Sequence, residues 1–346
     1  LILADLIDGI PHSGEAHELV GHEQQVSSIL EQYASGRMHH ALLLSGPKGI
    51  GKVTMALRLA AHFFRFPEPV KAHKALIRPE AGDPVQGKIG ARSHPNLLHL
   101  TRPWDQKAKK FKTRLTVDEI RQTVPFFGTA RGEDGWRVAI VDALDDMNAN
   151  ASNALLKILE EPPEKTVFFI IAHSMGSVMP TIRSRCQHVP MKSLTNNQVL
   201  AILNRFNVLD GLGENDQQLL VSLSEGSVRR AIILAQEDGL ELYKSFRSVC
   251  ENLARPDWTK IQGLTDIVVQ RGREDRYKLL LNFADDFMQT NATRVQEGDN
   301  TISSLARWAE VWEKTRNSAR SAESYNLDRK QVILNLFHDM GEAARP

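Results

Sequence analysis

Gly46-Pro47-Lys48-Gly49-Ile50-Gly51-Lys52-Val53-Thr54 decides the reading of this chain. An apolar run, Ala41 to Ser45, precedes it, and Val53, Leu57, Ala60 and Phe64 recur after it at helical spacing. Strand, glycine-rich turn, helix is the context in which Gly-x4-Gly-Lys forms a phosphate-binding loop. Glycines let backbone N–H groups turn inward around phosphate oxygens, and the helix N-terminus adds positive dipole. Gly46, Gly49, Gly51 and Lys52 are therefore the expected phosphate ligands. A working loop of this kind has Ser or Thr after the lysine, to hold Mg²⁺. Here Val53 offers no oxygen, and Thr54 points roughly 100° further round the helix.

Outward from the loop, near-continuous apolar runs alternate with helical patterns. Asn96 to Leu100, Arg137 to Asp142, Thr166 to Ala172 and Gln187 to Met191 read with 41–45 as buried parallel strands. Alternation of this type predicts an α/β parallel sheet with ligands at the carboxyl ends of its strands. Asp142 ends one such strand and is the expected second acidic element of a P-loop site. The next residue is Ala143, where a hydrolytic site needs a carboxylate to polarise water. Asp145 and Asp146 read as solvated or helix-capping residues.

After Ser193 strand signals stop. Thr195 and Gln198 form a capping box, and Gly226-Ser227 ends one helix and caps the next. The expected domains are an α/β domain over 1–192, a small helical lid over 193–240 and a helical bundle over 241–346. The stretch from Phe66 to Ser93 reads as loop or insertion.

Bulk properties narrow the classes further. The chain has 346 residues, 42% apolar and 25% charged, and its net charge is +1. It does not coat nucleic acid by bulk charge. No run approaches the roughly 18 apolar residues of a membrane span, and no signal-peptide pattern opens the chain. Two cysteines, Cys186 and Cys250, make neither a disulfide framework nor a four-thiolate zinc site. A cytoplasmic protein without a membrane partner is the expectation.

Several motifs together resemble one family, in its order, over about residues 19–235. They are Leu19-Val-Gly-His22, Gly36-Arg-Met-His-His40, His94-Pro-Asn-Leu97 and Asn153-Ala-Leu-Leu-Lys-Ile-Leu-Glu-Glu161-Pro-Pro163. Ser184-Arg185-Cys186 and Gly226-Ser-Val-Arg229-Arg230 complete the set. The pattern resembles the AAA+ clamp-loader subunits of bacterial DNA polymerase III. The resemblance implies a P-loop AAA+ domain, a helical lid and a C-terminal collar bundle. It implies a hetero-pentamer with gamma/tau and delta subunits, which meets the sliding clamp and primed DNA as an assembly.

Within that family, Arg185 kept beside a site lacking hydroxyl and glutamate resembles the delta-prime branch. Arg185 would then be an arginine finger, acting in trans on a neighbouring motor subunit. Its plainer reading is a surface arginine in a salt bridge. Arg229 would face this chain's own pocket from the lid, or serve as a structural ion-pair residue. His173 and Ser174 stand where a γ-phosphate sensor sits, or form a polar turn. Cys186 reads as a small packed side chain. No cofactor is required on this reading; ATP or ADP would bind without efficient hydrolysis, and the cysteine-free 66–93 stretch implies no zinc.

The basic segment Lys107 to Arg114 reads as a solvated loop or hairpin tip, or as a contact for DNA or a partner. Trp308 and Trp312 read as helix packing in the oligomer collar. Competing readings are an ATP-hydrolysing gamma/tau-type motor, a small-molecule P-loop kinase, and a scaffold without a trans finger.

Overall fold

The computed structural model describes residues 6–107, 109–128, 135–270, 272–295, 301–325 and 327–345. These divide into two compact units, one of 1–210 with 221–230 and the other of 211–220 with 231–346.

The first unit is built on a five-stranded parallel sheet. Its strands are β1 (Ala41–Ser45), β2 (Leu97–Leu100), β5 (Arg137–Asp142), β6 (Thr166–Ala172) and β7 (Gln187–Pro190), in spatial order β2-β5-β6-β1-β7. A separate antiparallel ribbon pairs β3 (Trp104–Asp105) with β4 (Lys110–Phe111). Leu42 to Leu44, Val138 to Val141 and Val167 to Ala172 are fully buried, so the central strands read as unbroken apolar runs. Register is in step across the centre, with Leu43 beside Ile170 and Val141 beside the same residue.

Helices cover both faces. On one side α1 (Glu23–Ala34) and α2 (Lys52–Arg65) bury Tyr33, Leu59 and Phe63 against Leu42, Ile140 and Phe169. On the other, α4 (Val117–Arg121), α5 (Thr123–Gly128), α6 (Ala149–Glu160) and α7 (Pro180–Arg183) bury Ile120, Leu155 and Ile182 against Leu43, Phe168 and Ile170. Asn148 caps α6 through Ala151 N at 2.8 Å, and Pro162-Pro163 follows its end. This is the α/β P-loop sheet that the sequence implies, with each strand found within a residue of its expected bounds.

The 66–93 stretch is more ordered than a loop. It contains α3 (Pro84–Gly90), because Asp83 caps Gln86 N at 2.8 Å and Pro84 supplies a preset φ. Arg65 Nη2 pairs with Asp83 Oδ2 at 2.9 Å, and buried Arg58 donates to Gln86 Oε1 at 3.2 Å. These contacts tie α3 to α2.

The segment expected as a separate lid is shared. α8 (Asn196–Arg205) opens with the Thr195/Gln198 capping box and belongs to the sheet unit. α9 (Glu214–Leu223) and α10 (Val228–Gln236) contribute to both units. Gly226, at φ 77°, lies against the Leu194 backbone, where a Cβ would collide.

The second unit contains α11 (Gly239–Cys250), α12 (Trp258–Val268), α13 (Glu274–Val295), α14 (Thr301–Tyr325) and α15 (Arg329–Ala343). Phe246, Phe283 and Phe337 form its core. Trp308 is buried in this bundle against Phe287, at 6.0 Å between ring centroids. This is the helix packing expected of Trp308 within the C-terminal bundle. Trp312 carries Arg316 over its ring at 4.5 Å. Among the described residues no helix is long and apolar enough to cross a membrane.

Two polar groups in the first unit generate stability predictions. His62, on α2, is 2% exposed and sits among Tyr33, Phe63 and Phe66, with Arg58, Arg65 and His73 as charged neighbours. Burial pushes its imidazole down to about 4. The folded state therefore binds its proton later than the unfolded chain as pH falls. Stability from this residue is complete above the free value of 6.5 and drains between there and about 4. The loss is expected to reach about 3 kcal/mol, and His62→Leu should flatten that slope in unfolding measured from pH 7 to pH 4. Asp145 accepts from His173 N at 2.6 Å, Ser174 N at 3.1 Å and Ser177 Oγ at 2.7 Å. Asp145→Ala orphans those donors and should cost about 1–3 kcal/mol in thermal or denaturant unfolding; a change within error would remove its anchoring role.

Candidate nucleotide site and arginine

The glycine-rich turn leaves β1 at its carboxyl end. Gly46 lies at φ 148° against the Met191 carbonyl, and Gly49 lies at φ 84° against Ser227 and Arg229. Any Cβ at either position would overlap those neighbours, so glycine is a packing requirement as well as a conformational one. Gly51, at φ 99°, opens α2. Ser227 Oγ donates to Lys48 O at 2.8 Å, which brings the Gly226–Arg230 motif onto the loop. The backbone N and Cβ of Arg229 thus lie against the loop at Gly49.

Lys52 is 3% exposed, and its Nζ donates to Gly46 O and Pro47 O at 2.5 Å each. Burial lowers its ammonium to about 8, against the pull of Asp142 and Asp145. A bound phosphate would satisfy that cation with full charges in place of carbonyl dipoles. His173, at the end of β6, is pushed down to about 4 by burial and then by Lys52. It is a neutral imidazole at pH 7, with a buried Nδ1 that makes no hydrogen bond.

The metal-binding half of the site is different. Val53 is half-buried and packs against the apolar cluster of the sheet. Thr54, one residue on, is the nearest hydroxyl in sequence. Asp142 faces His99 of β2, with Nε2 to Oδ2 at 3.6 Å. Burial lowers the His99 imidazole while Asp142 raises it, and Arg92 feels the same carboxylate. Ala143 is 1% exposed and belongs to the core, so no water-activating carboxylate fits at that position without burying a charge.

Asp145 and Asp146 are half-buried and make tertiary contacts. Asp145 ties the loop after β5 to the end of β6 through the contacts given above. Burial raises its carboxyl, but the hydrogen bonds from His173, Ser177 and Ser174 outweigh it and leave the group below its ordinary value. Asp146 Oδ2 pairs with Arg102 Nε at 3.2 Å, and its carbonyl accepts from Leu115 N at 2.8 Å. Both are anchors because the backbone donors at the strand ends need acceptors once buried.

His22 was not singled out by the sequence as a site residue. Its Nε2 lies 2.9 Å from Ile50 O, and a carbonyl only accepts, so that nitrogen carries the proton. The Leu19–His22 motif thereby braces the phosphate loop.

Arg185 lies apart from this pocket, just after α7. Its side chain is 36% exposed. Nη2 pairs with Glu160 Oε1 at 2.7 Å, and Nη1 donates to Thr181 O at 3.1 Å. The surface salt bridge of the plainer reading is therefore present. Cys186, next to it, is half-buried, and burial pushes its thiol up to about 12. It is not a thiolate at neutral pH.

A family model described as "DNA polymerase III, delta subunit" matches residues 21–195. DNA polymerase III subunit delta' of Bacillus subtilis (strain 168) is 33% identical over 205 residues, covering 58% of this chain and 55% of that protein. Subunit delta' of Pseudomonas aeruginosa is 34% identical over 148 residues, covering 42% of this chain and 41% of that protein. Subunit tau of Escherichia coli (strain K12) is 28% identical over 222 residues, 64% of this chain and 32% of that protein. The matches span about half the length of the two delta' proteins. A match over half the chain, falling on the P-loop, the second acidic strand and the Arg185 motif, places this chain in the DNA polymerase III clamp-loader family, with delta' proteins among its relatives.

Proposed function

We propose that this chain is the delta-prime-type, non-motor subunit of a DNA polymerase III clamp loader. It joins gamma/tau and delta subunits in a cytoplasmic hetero-pentamer. Its Arg185 enters the ATP site of the adjacent motor subunit, and the assembly loads the sliding clamp onto primed DNA. Its own pocket holds ATP or ADP on Gly46 to Thr54 and Arg229 without efficient hydrolysis, and zinc has no place in the chain.

The observation that carries this reading is the setting of Arg185. The guanidinium is held at the surface by one side chain and one carbonyl, in a fork that suits phosphate oxygens. An exposed ion pair such as Arg185–Glu160 contributes about 0–1 kcal/mol. An arginine finger is worth ~10³–10⁵ in rate, or about 4–7 kcal/mol in a transition state. The pair with Glu160 is thus a small cost against what the side chain would contribute in a neighbour's transition state. Val53 and buried Ala143 supply the complementary half of the argument, since both defects lie in the chain's own pocket.

Similarity to subunit tau keeps an ATP-hydrolysing motor as the alternative. The two readings separate in turnover assays. In the reconstituted assembly, Arg185→Ala should lower hydrolysis at the site it completes by ~10³ or more, and Arg185→Lys should not restore it. The isolated chain should show background turnover only, and Val53→Thr should not start it while Ala143 remains. Vigorous turnover by the isolated chain, abolished by Lys52→Ala, would establish the motor reading instead.

A further inference from the structure

The β3–β4 ribbon is left without a role by the trans-arginine reading. Along it, Lys107, Lys109, Lys110, Lys112 and Arg114 are all exposed. Asp105 is the one carboxylate between Pro103 and Arg114, and it accepts from Lys107 N at 2.9 Å. Among the described residues none of the five cations has an ion-pair partner; residue 108 lies outside them. The whole chain carries a net charge of only +1, so this concentration is local. Like charges held this close repel, and a polyanion would relieve that repulsion.

The ribbon is also braced. Trp104 and Phe111 pack edge to face at 5.0 Å, and Lys112 N donates to Pro103 O at 2.9 Å. At its base, Asp146 holds Arg102 through its carboxylate and Leu115 through its carbonyl. A braced root keeps the cations in place, so less freedom is given up when they meet a ligand.

We propose that this ribbon is a direct contact of the chain with the phosphate backbone of duplex DNA. The proposal rests on the clamp-loader reading for its choice of polyanion. Lysine is a point charge suited to phosphates, and phosphate contacts carry no sequence information. A phosphate contact is therefore independent of sequence and steeply dependent on salt.

The test uses the full chain and a fluorescein-labelled primed-template duplex, followed by anisotropy from low to physiological salt. The unaltered chain should bind at low salt. The combined variant Lys107→Ala/Lys109→Ala/Lys110→Ala/Lys112→Ala should bind about tenfold more weakly or worse, with a salt slope flatter by about 0.9 for each phosphate it no longer neutralises. The corresponding Lys→Arg variant should keep both affinity and slope, which separates loss of charge from loss of fold. Unchanged affinity and slope in the alanine variant overturns the proposal. So does no binding by the unaltered chain, or unchanged DNA binding together with failure to associate with the partner subunits. The measurement is made on this chain alone, so it fails or succeeds independently of the Arg185 reading, which is read from turnover of the assembly.

Discussion

A parallel sheet covered on both faces has one outlet for polar chemistry, the carboxyl ends of its strands. The polar groups of the candidate nucleotide site follow from that constraint. The glycine turn leaves β1, Asp142 ends β5, His173 follows β6, and the basic ribbon rises after β2. The central strands have no exposed surface on which to place anything else. Donors exposed by strand ends at the edge of the core then demand acceptors, and Asp145 and Asp146 supply them. The acidic residues after β5 are thus committed to holding the fold together.

The phosphate loop is held by packing of the same kind. Gly46 and Gly49 are fixed by their neighbours, Met191, Ser227 and Arg229, whether or not nucleotide is present. His22 holds the Ile50 carbonyl from below. Lys52 donates to the loop carbonyls of Gly46 and Pro47. Val53 packs against the apolar cluster and Ala143 lies within it, where an aliphatic side chain fits better than an oxygen or a carboxylate.

Much of this was legible in the sequence. Strands 41–45, 137–142 and 166–172 are unbroken apolar runs, and burial on both faces is what such runs mean. The Thr195 box and the Gly226 turn were equally plain, because caps and left-handed turns depend on local residue type. Long-range acceptor roles were not. Asp145 takes donors twenty-eight or more positions away, and nothing in its neighbours' identities marks that. α3 was hidden inside a proline-, glycine- and charge-rich stretch, where Asp83-Pro84 was the only start signal. Trp308 shows the same limit: spacing put it on a helix face but could not say which helix it meets. The site residues Gly46 to Thr54, Asp142 and Arg229 were named from motif order, and the sheet brings them to one end. Arg185 was singled out by the same order, but its Glu160 partner lies on a different helix.

The position of one guanidinium in the assembled, nucleotide-bound complex bears most directly on the whole account. Determining the structure of the clamp loader with a transition-state analogue of ATP would locate it. The account predicts that Arg185 has left Glu160 and lies within hydrogen-bond reach of the γ-phosphate position in the adjacent motor subunit. An Arg185 still paired with Glu160, with another residue occupying that phosphate contact, would contradict it.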